Sequence, residues 1–263
     1  MIVPILLFAC ALLVRILFNV YVTGIDNAGL DLYPDGKDYD ALGWSLATGS
    51  GYEINHAPNT FRPPGYPMFL AAVYALFGHS VAAVKVLQSI LDAATCVMLL
   101  LIGERLFTRR VGVIAAAIAA VYPFLVVYTG FMLSEALFVL LSTVFLYTLG
   151  RLRENYTWRW AAAAGLVLGV INLTRPVTLL LPALLFFWLW LEVRAKWRAA
   201  VIAGVLAIWM LVPILPWTVR NYLVTHSFIL IADHHWAALY AANNQRILQD
   251  PDKIGGWIQP PGG

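Results

Sequence analysis

Apolar and polar positions are segregated along this chain into long blocks. Runs approaching the ~20 apolar residues that a spanning helix needs lie at 2–23, 80–106, 112–130, 132–150, 158–175, 176–193 and 199–217. Seven membrane helices are predicted, and the short turns within the last six runs predict antiparallel neighbours. The interval 24–79 breaks the pattern. In it "RPPGYPMFLAAVYALFG", residues 62–78, holds an apolar run of about twelve, too short to cross a bilayer. Proline at its start and Gly78 at its end predict a helix lying at the interface. "KDYDALGWSLATG", residues 37–49, has apolar residues at 39, 42, 46 and 47, a helical spacing that predicts a second interfacial helix. Gly49 to Asn59 is the connecting loop. The expected fold is an all-α polytopic membrane protein, a module over 1–222 with two juxtamembrane helices in its first outer loop. Residues 223–263 hold no spanning run and read as the start of an extracytoplasmic segment of a longer protein.

Composition agrees with the pattern. The 263 residues are 61% hydrophobic and 12% charged, against roughly 25% charged in soluble domains, and mean hydropathy is +0.77. A net charge of +3 excludes a nucleic-acid partner on charge grounds. Cys10 and Cys96 fall inside apolar runs and read as small buried hydrophobes. The first run lacks a basic leader and a cleavage site, so it reads as a retained helix. Arg105, Arg109, Arg110, Arg151, Arg153, Arg159, Arg194, Lys196 and Arg198 follow the second, fourth and sixth runs. The bias of Lys and Arg toward cytoplasmic loops then puts the N-terminus inside, and residues 24–79 and the tail outside. The expected location is the plasma membrane.

Ionisable groups at membrane depth are expensive, so each invites a functional reading. The outer boundary collects Asp35, Asp38, Asp40 and Glu135 with Arg62, Lys85, Arg175 and Arg220. Arginine binds phosphate through a two-pronged fork and lysine as a point charge, while a carboxylate near a hydroxyl or amine serves as general base. A phosphate-linked lipid would deliver its head group to this depth. Competing structural readings exist for several residues. Lys85 snorkels, Arg175 caps a helix C-terminus, and Asp40 is a solvated face residue. Arg15 and Asp92 pair within the bundle, and Trp44, Tyr66 and Trp217 form an aromatic belt. His234 and His235 are adjacent and lack metal-ligand spacing.

"DGKDYDALGWSLATGSGY", "FRPPGYPMFLAAVYALFG", "RLFTRRVGVIAAAIAAVYP", "MLSEALF", "GVINLTRPVTLLLP" and "PWTVRNY", in this order, resemble bacterial members of the dolichyl-phosphate-mannose-protein mannosyltransferase family. These are GT-C fold glycosyltransferases related to the lipid A aminoarabinose transferases. The resemblance implies inverting transfer of a sugar from a polyprenyl-phosphate donor to a protein, lipid or glycan acceptor outside the membrane. It implies Asp35 as the catalytic acid residue ahead of Tyr39, with Asp38, directly before Tyr39, as the alternative. Arg62, Lys85, Arg175 and Arg220 are the expected donor-phosphate ligands. Tyr39, Glu135, Tyr66 and Asn221 are expected to contact sugar or acceptor or to orient those groups. Some relatives carry an acidic metal-site residue where Thr60 and Phe61 stand here, so no cofactor or metal dependence is carried over. A transporter or flippase, or a non-catalytic assembly protein, is the alternative class. Neither internal repeats nor midplane helix breaks favour the transporter.

Overall fold

The computed structural model describes residues 2–27, 34–233 and 240. Each of the seven apolar runs is helical. The order is α1 (Ile2–Tyr21), α2 (Pro34–Ala47), a hairpin of β1 (Glu53–Ile54) and β2 (Ala57–Pro58), α3 (Gly65–Phe77) and α4 (Val81–Leu106). There follow α5 (Arg109–Val121), α6 (Pro123–Tyr128), α7 (Glu135–Asn155), α8 (Trp158–Thr174), a 3₁₀ turn (Pro176–Thr178), α9 (Leu181–Glu192) and α10 (Lys196–Thr225). The chain is an all-α polytopic membrane protein: α1, α4, α7 and α10 are each long and apolar enough to cross a bilayer. Both interfacial helices form where predicted, as α2 and α3.

Three boundaries differ from the sequence reading, and proline accounts for two. Pro123 opens α6 and holds Tyr122 extended, so the third run is two helices rather than one. Pro176 opens a 3₁₀ turn, which delays α9 to residue 181. The seventh run continues through Pro213 and Pro216 to Thr225, so Arg220 and Asn221 lie in the last turns of α10 rather than beyond it. Past α10 the chain doubles back. The Trp217 indole donates to the Ile231 carbonyl at 2.9 Å, and Asn221 Nδ2 donates to those of Ile229 and Ile231 at 3.2 and 3.1 Å. Trp217 and Tyr66 are buried, not members of an aromatic belt. Cys96 is buried but Cys10 is exposed, on the side of α1 that carries its exposed apolar residues. His234 and His235 lie outside the described residues.

Small residues let the bundle close. In α8 a Cβ on Gly165 or Gly169 would run into the Leu206 or Met210 carbonyl of α10, a Gly-x-x-x-Gly contact of the kind membrane helices use to bring backbones together. At one end of the bundle Arg105 joins α4 to α7 through Glu154 at 2.5 and 2.6 Å. Arg153 joins α7 to α9 through Glu192 at 3.1 Å. The basic loops therefore share one end, as the alternation of charges requires.

Helix α1 presents apolar residues outward and buries Ala11, Arg15 and Asn19, four residues apart. Arg15 Nε donates to Asp92, Nη1 to the Ala11 and Ala120 carbonyls at 2.9 Å each, and Nη2 to that of Ala119 at 3.2 Å. The pair thus pins α1 to α4 and α5, as the pairing reading expects. Removing one partner strands the other as a buried charge, which costs about 3–5 kcal/mol. Arg15→Ala and Asp92→Ala are each expected to lower unfolding free energy in mixed detergent by that order. The joint change Arg15→Met with Asp92→Leu should recover most of the loss.

Candidate functional site

Helix α2 starts at Pro34, whose fixed φ suits a first helical position. Asp35, Asp38 and Tyr39 follow at spacings of three and four, so they share one face. That face meets Arg62, the last residue before the proline pair that leads into α3. Asp35 Oδ1 accepts from Arg62 Nη2 at 2.7 Å, and Asp38 Oδ2 accepts from Nε at 2.9 Å and approaches Nη2 at 2.8 Å. The guanidinium also lies 5.1 and 5.6 Å from the ring centres of Phe61 and Tyr39. Burial alone would lower the Arg62 pKa, but the charges of Asp35 and Asp38 outweigh it and hold the proton more tightly than usual.

A second guanidinium reaches the same loop. Arg220 Nη1 donates to the Asn59 carbonyl at 2.7 Å and Nη2 to that of Tyr52 at 2.8 Å. It also lies against the rings of Trp217 and Tyr52, at 5.0 and 5.4 Å. The loop ties the two arginines together. Asn59 Oδ1 accepts from the Arg62 backbone N–H at 3.0 Å, and the Tyr52 hydroxyl donates to the Arg62 carbonyl at 2.9 Å. Among the described residues Arg220 donates to neutral oxygens, those of Asn59, Tyr52 and Asn221, and pairs with no carboxylate. Burial raises the Tyr52 pKa well above its ordinary value and raises that of Tyr39, so both phenols keep their protons at neutral pH, and Tyr52 donates its own to the Arg62 carbonyl.

Glu135 and Arg175 form a third pair. Glu135 opens α7, Arg175 caps α8, and Arg175 Nη1 reaches Glu135 Oε1 at 2.5 Å. Glu135 Oε2 is buried and has no hydrogen-bond partner among the described residues. Tyr39 links this pair to the first cluster, since its phenol feels the charges of both Arg62 and Arg175. Tyr66 is fully buried, packs edge-on against Tyr39 at 5.1 Å, and bonds Gln88 at 2.5 Å. It supports Tyr39 from below and does not line an open site. Asn221 faces the returning chain and Arg220.

Lys85 turns elsewhere. Its Nζ bonds Thr23 Oγ1 at 3.1 Å and the Gly24 carbonyl at 2.7 Å, holding the chain that leaves α1. Asp40 is not a solvated face residue: it accepts from the Tyr74 hydroxyl at 2.5 Å and meets His79 Nε2 at 2.7 Å. Among the described residues, no three His, Cys, Asp or Glu gather as metal ligands. Hollows of about 520 and 540 Å³ lie at the opposite, basic end, against Arg159 and Trp160 and against Arg109 and Arg110. The chemistry-bearing cluster is instead an open surface on the loop side. Tyr52 and Asn59 escaped the sequence reading because Arg220 meets them at backbone carbonyls, which no residue pattern marks. His79 had one signal, its place in the turn between the predicted interfacial helix and the next span.

Charged groups of both signs thus gather at one end of a polytopic helical bundle. The family model described as dolichyl-phosphate-mannose-protein mannosyltransferase matches residues 61–218. The chain belongs to that family and is accordingly a membrane glycosyltransferase. Arg62, Lys85, Glu135 and Arg175 fall within the matched residues; Asp35 and Asp38 precede them, and Arg220 follows. No curated protein and no solved structure matches the chain.

The junction of α3 with α8 holds Arg62 near Arg175. A Cβ on Gly65 would stand 2.5 Å from Thr174 Oγ1, 2.8 Å from the Thr174 nitrogen and 2.9 Å from the Leu173 carbonyl carbon. Gly65→Ala is therefore expected to lower the thermal midpoint in detergent. Thr174→Ala should not rescue it, because two of the three obstructing atoms belong to the backbone.

Proposed function

We propose that this chain transfers a sugar from a polyprenyl-phosphate carrier to an acceptor at the extracytoplasmic face, with inversion at the anomeric carbon. The observation that carries the reading is the Asp35–Arg62–Asp38 cluster, joined by the 52–62 loop to a second guanidinium, Arg220, which pairs with no carboxylate among the described residues. The nine basic residues at the other end of the bundle support a cytoplasmic assignment for that end. The cluster then faces outward from a plasma membrane.

The acceptor's O–H or N–H attacks the anomeric carbon from the face opposite the phosphate. The bond from that carbon to the phosphate oxygen breaks, and its electron pair stays on the leaving polyprenyl phosphate. Asp35 takes the acceptor's proton; Asp38, paired with Arg62 through two nitrogens, is the alternative base and the better anchor. Arg62 and Arg220 meet the negative charge that grows on the phosphate. Arg175 and Lys85 are engaged by Glu135 and by the Thr23–Gly24 turn, so they act at one remove, Arg175 through Tyr39. The unpartnered Glu135 oxygen is suited to accept from a sugar hydroxyl. The donor and the acceptor are the partners this scheme requires.

The test is turnover by the full chain in lipid with a panel of polyprenyl-phosphate sugars. Asp35→Asn and Arg62→Gln are each expected to reduce turnover by ~10²–10³ with unchanged folding by circular dichroism. Near-normal turnover by Asp35→Asn would pass the base role to Asp38, and near-normal turnover by Arg62→Gln would sink the reading.

A further inference from the structure

The two carboxylates on Arg62 are not equivalent. Asp38 Oδ2 engages both Nε and Nη2, and its side chain is 37% exposed. Asp35 engages Nη2 alone, through one oxygen, and is 57% exposed on the first turn of α2. The cation between them is fixed. Its side chain is 15% exposed, its backbone is held by Asn59 and Tyr52, and its plane lies against Phe61 and Tyr39.

We infer that Asp35 occupies the position on Arg62 that the carrier phosphate takes, so that donor entry displaces Asp35 and turns its carboxylate toward the acceptor. This rests on the glycosyl-transfer reading above and adds to it an order of events. Asp35 and Asp38 already crowd two negative charges onto Nη2, so a third anion there displaces one of them, and Asp35 has the fewer bonds and the more exposed side chain. An exposed ion pair of this kind contributes a factor of about five at most. The phosphate recovers that by gaining Arg220 as well, whose recorded acceptors are neutral. Until the leaving group is in place, the proton acceptor stays against a guanidinium and away from the acceptor substrate. Donor binding therefore precedes productive acceptor binding.

The inference makes an unusual demand on the variants: losing the base must strengthen donor-lipid binding. The full chain in nanodiscs of neutral phosphatidylcholine is titrated with a polyprenyl phosphate, and with the uncharged polyprenol as control. Asp35→Asn and Asp35→Ala are expected to bind the phosphate about two- to fivefold more tightly than the wild type, with polyprenol binding unchanged. Asp38→Asn removes the same charge but loosens Arg62, and is expected to bind no more tightly than the wild type. Equal or weaker binding by both Asp35 variants overturns the displacement. So does an equal gain in Asp38→Asn, which would mark a general field effect. Tighter binding by Asp35→Asn with full turnover leaves the displacement standing and removes only the base role. Unchanged phosphate binding by Arg62→Gln would instead overturn the placement of the donor phosphate itself, and the displacement with it.

Discussion

A guanidinium withdrawn from water at the edge of a bilayer must find oxygen partners, and the way each arginine is met decides what it can do. Arg15 has a carboxylate and three carbonyls and is fully buried. Its charge is cancelled and its donors are occupied, so it can only hold helices together. Arg175 has one carboxylate at the surface end of α8. Arg62 has two, one of them loosely held. Arg220 has carbonyls and an amide, which satisfy its hydrogen bonds and leave its charge. The same chemistry serves as a structural pin deep in the bundle and, in the reading proposed above, as an anion site where neutralisation among the described residues is incomplete.

Such a site needs a rigid frame, because a charge pair misplaced by about 1 Å loses much of its effect. Helix α2 is gripped along its length by α3 and the turn after it. Tyr39 rests on Tyr66, Asp40 is held by Tyr74 and His79, and Trp44 stacks on the His79 ring at 4.8 Å. Gly43 permits the approach to α3, since a Cβ there would meet that of Leu70 at 2.6 Å. The carboxylates at the start of α2 thus project from a helix whose position is set by aromatic and hydrogen-bonded contacts farther along it.

Much of this was legible in the sequence, and the parts that were not share a cause. Apolar runs gave the helices, and the proline pair with Gly78 gave α3, because these signals act within one segment. The alternation of basic loops anticipated that Arg105, Arg153 and their partners gather at one end. Helix interruption at Pro123, against continuation through Pro213 and Pro216, was not legible: whether a proline breaks a membrane helix depends on what neighbouring segments supply. Asp40 read as solvated because its partners, Tyr74 and His79, lie on another helix and its following turn. Asp35, Asp38 and Arg62 were singled out as residues, but their mutual pairing arises only when α2 folds against the loop that precedes α3.

Helix length bears on where these groups fall along the bundle. At 1.5 Å per residue, Lys85 and Arg105 in α4 stand roughly 30 Å apart along the axis, and Glu135 and Glu154 in α7 nearly the same. Each spacing matches the ~30 Å hydrocarbon thickness of a bilayer, so both helices end their apolar spans at charged rims. In α10, Lys196 and Arg220 are separated by roughly 36 Å on the same measure. The longest helix is thus long enough to reach beyond ~30 Å of hydrocarbon toward the head-group layer, which extends the membrane to ~40–45 Å. Near its end Arg220 meets the 52–62 loop at Tyr52 and Asn59, and Asn59 also holds the Arg62 backbone. An arginine one or two turns earlier on α10 would sit in hydrocarbon, and its cost would demand a carboxylate partner like that of Arg15. The extra length of α10 lets Arg220 be satisfied by neutral oxygens and keep a charge for an incoming anion.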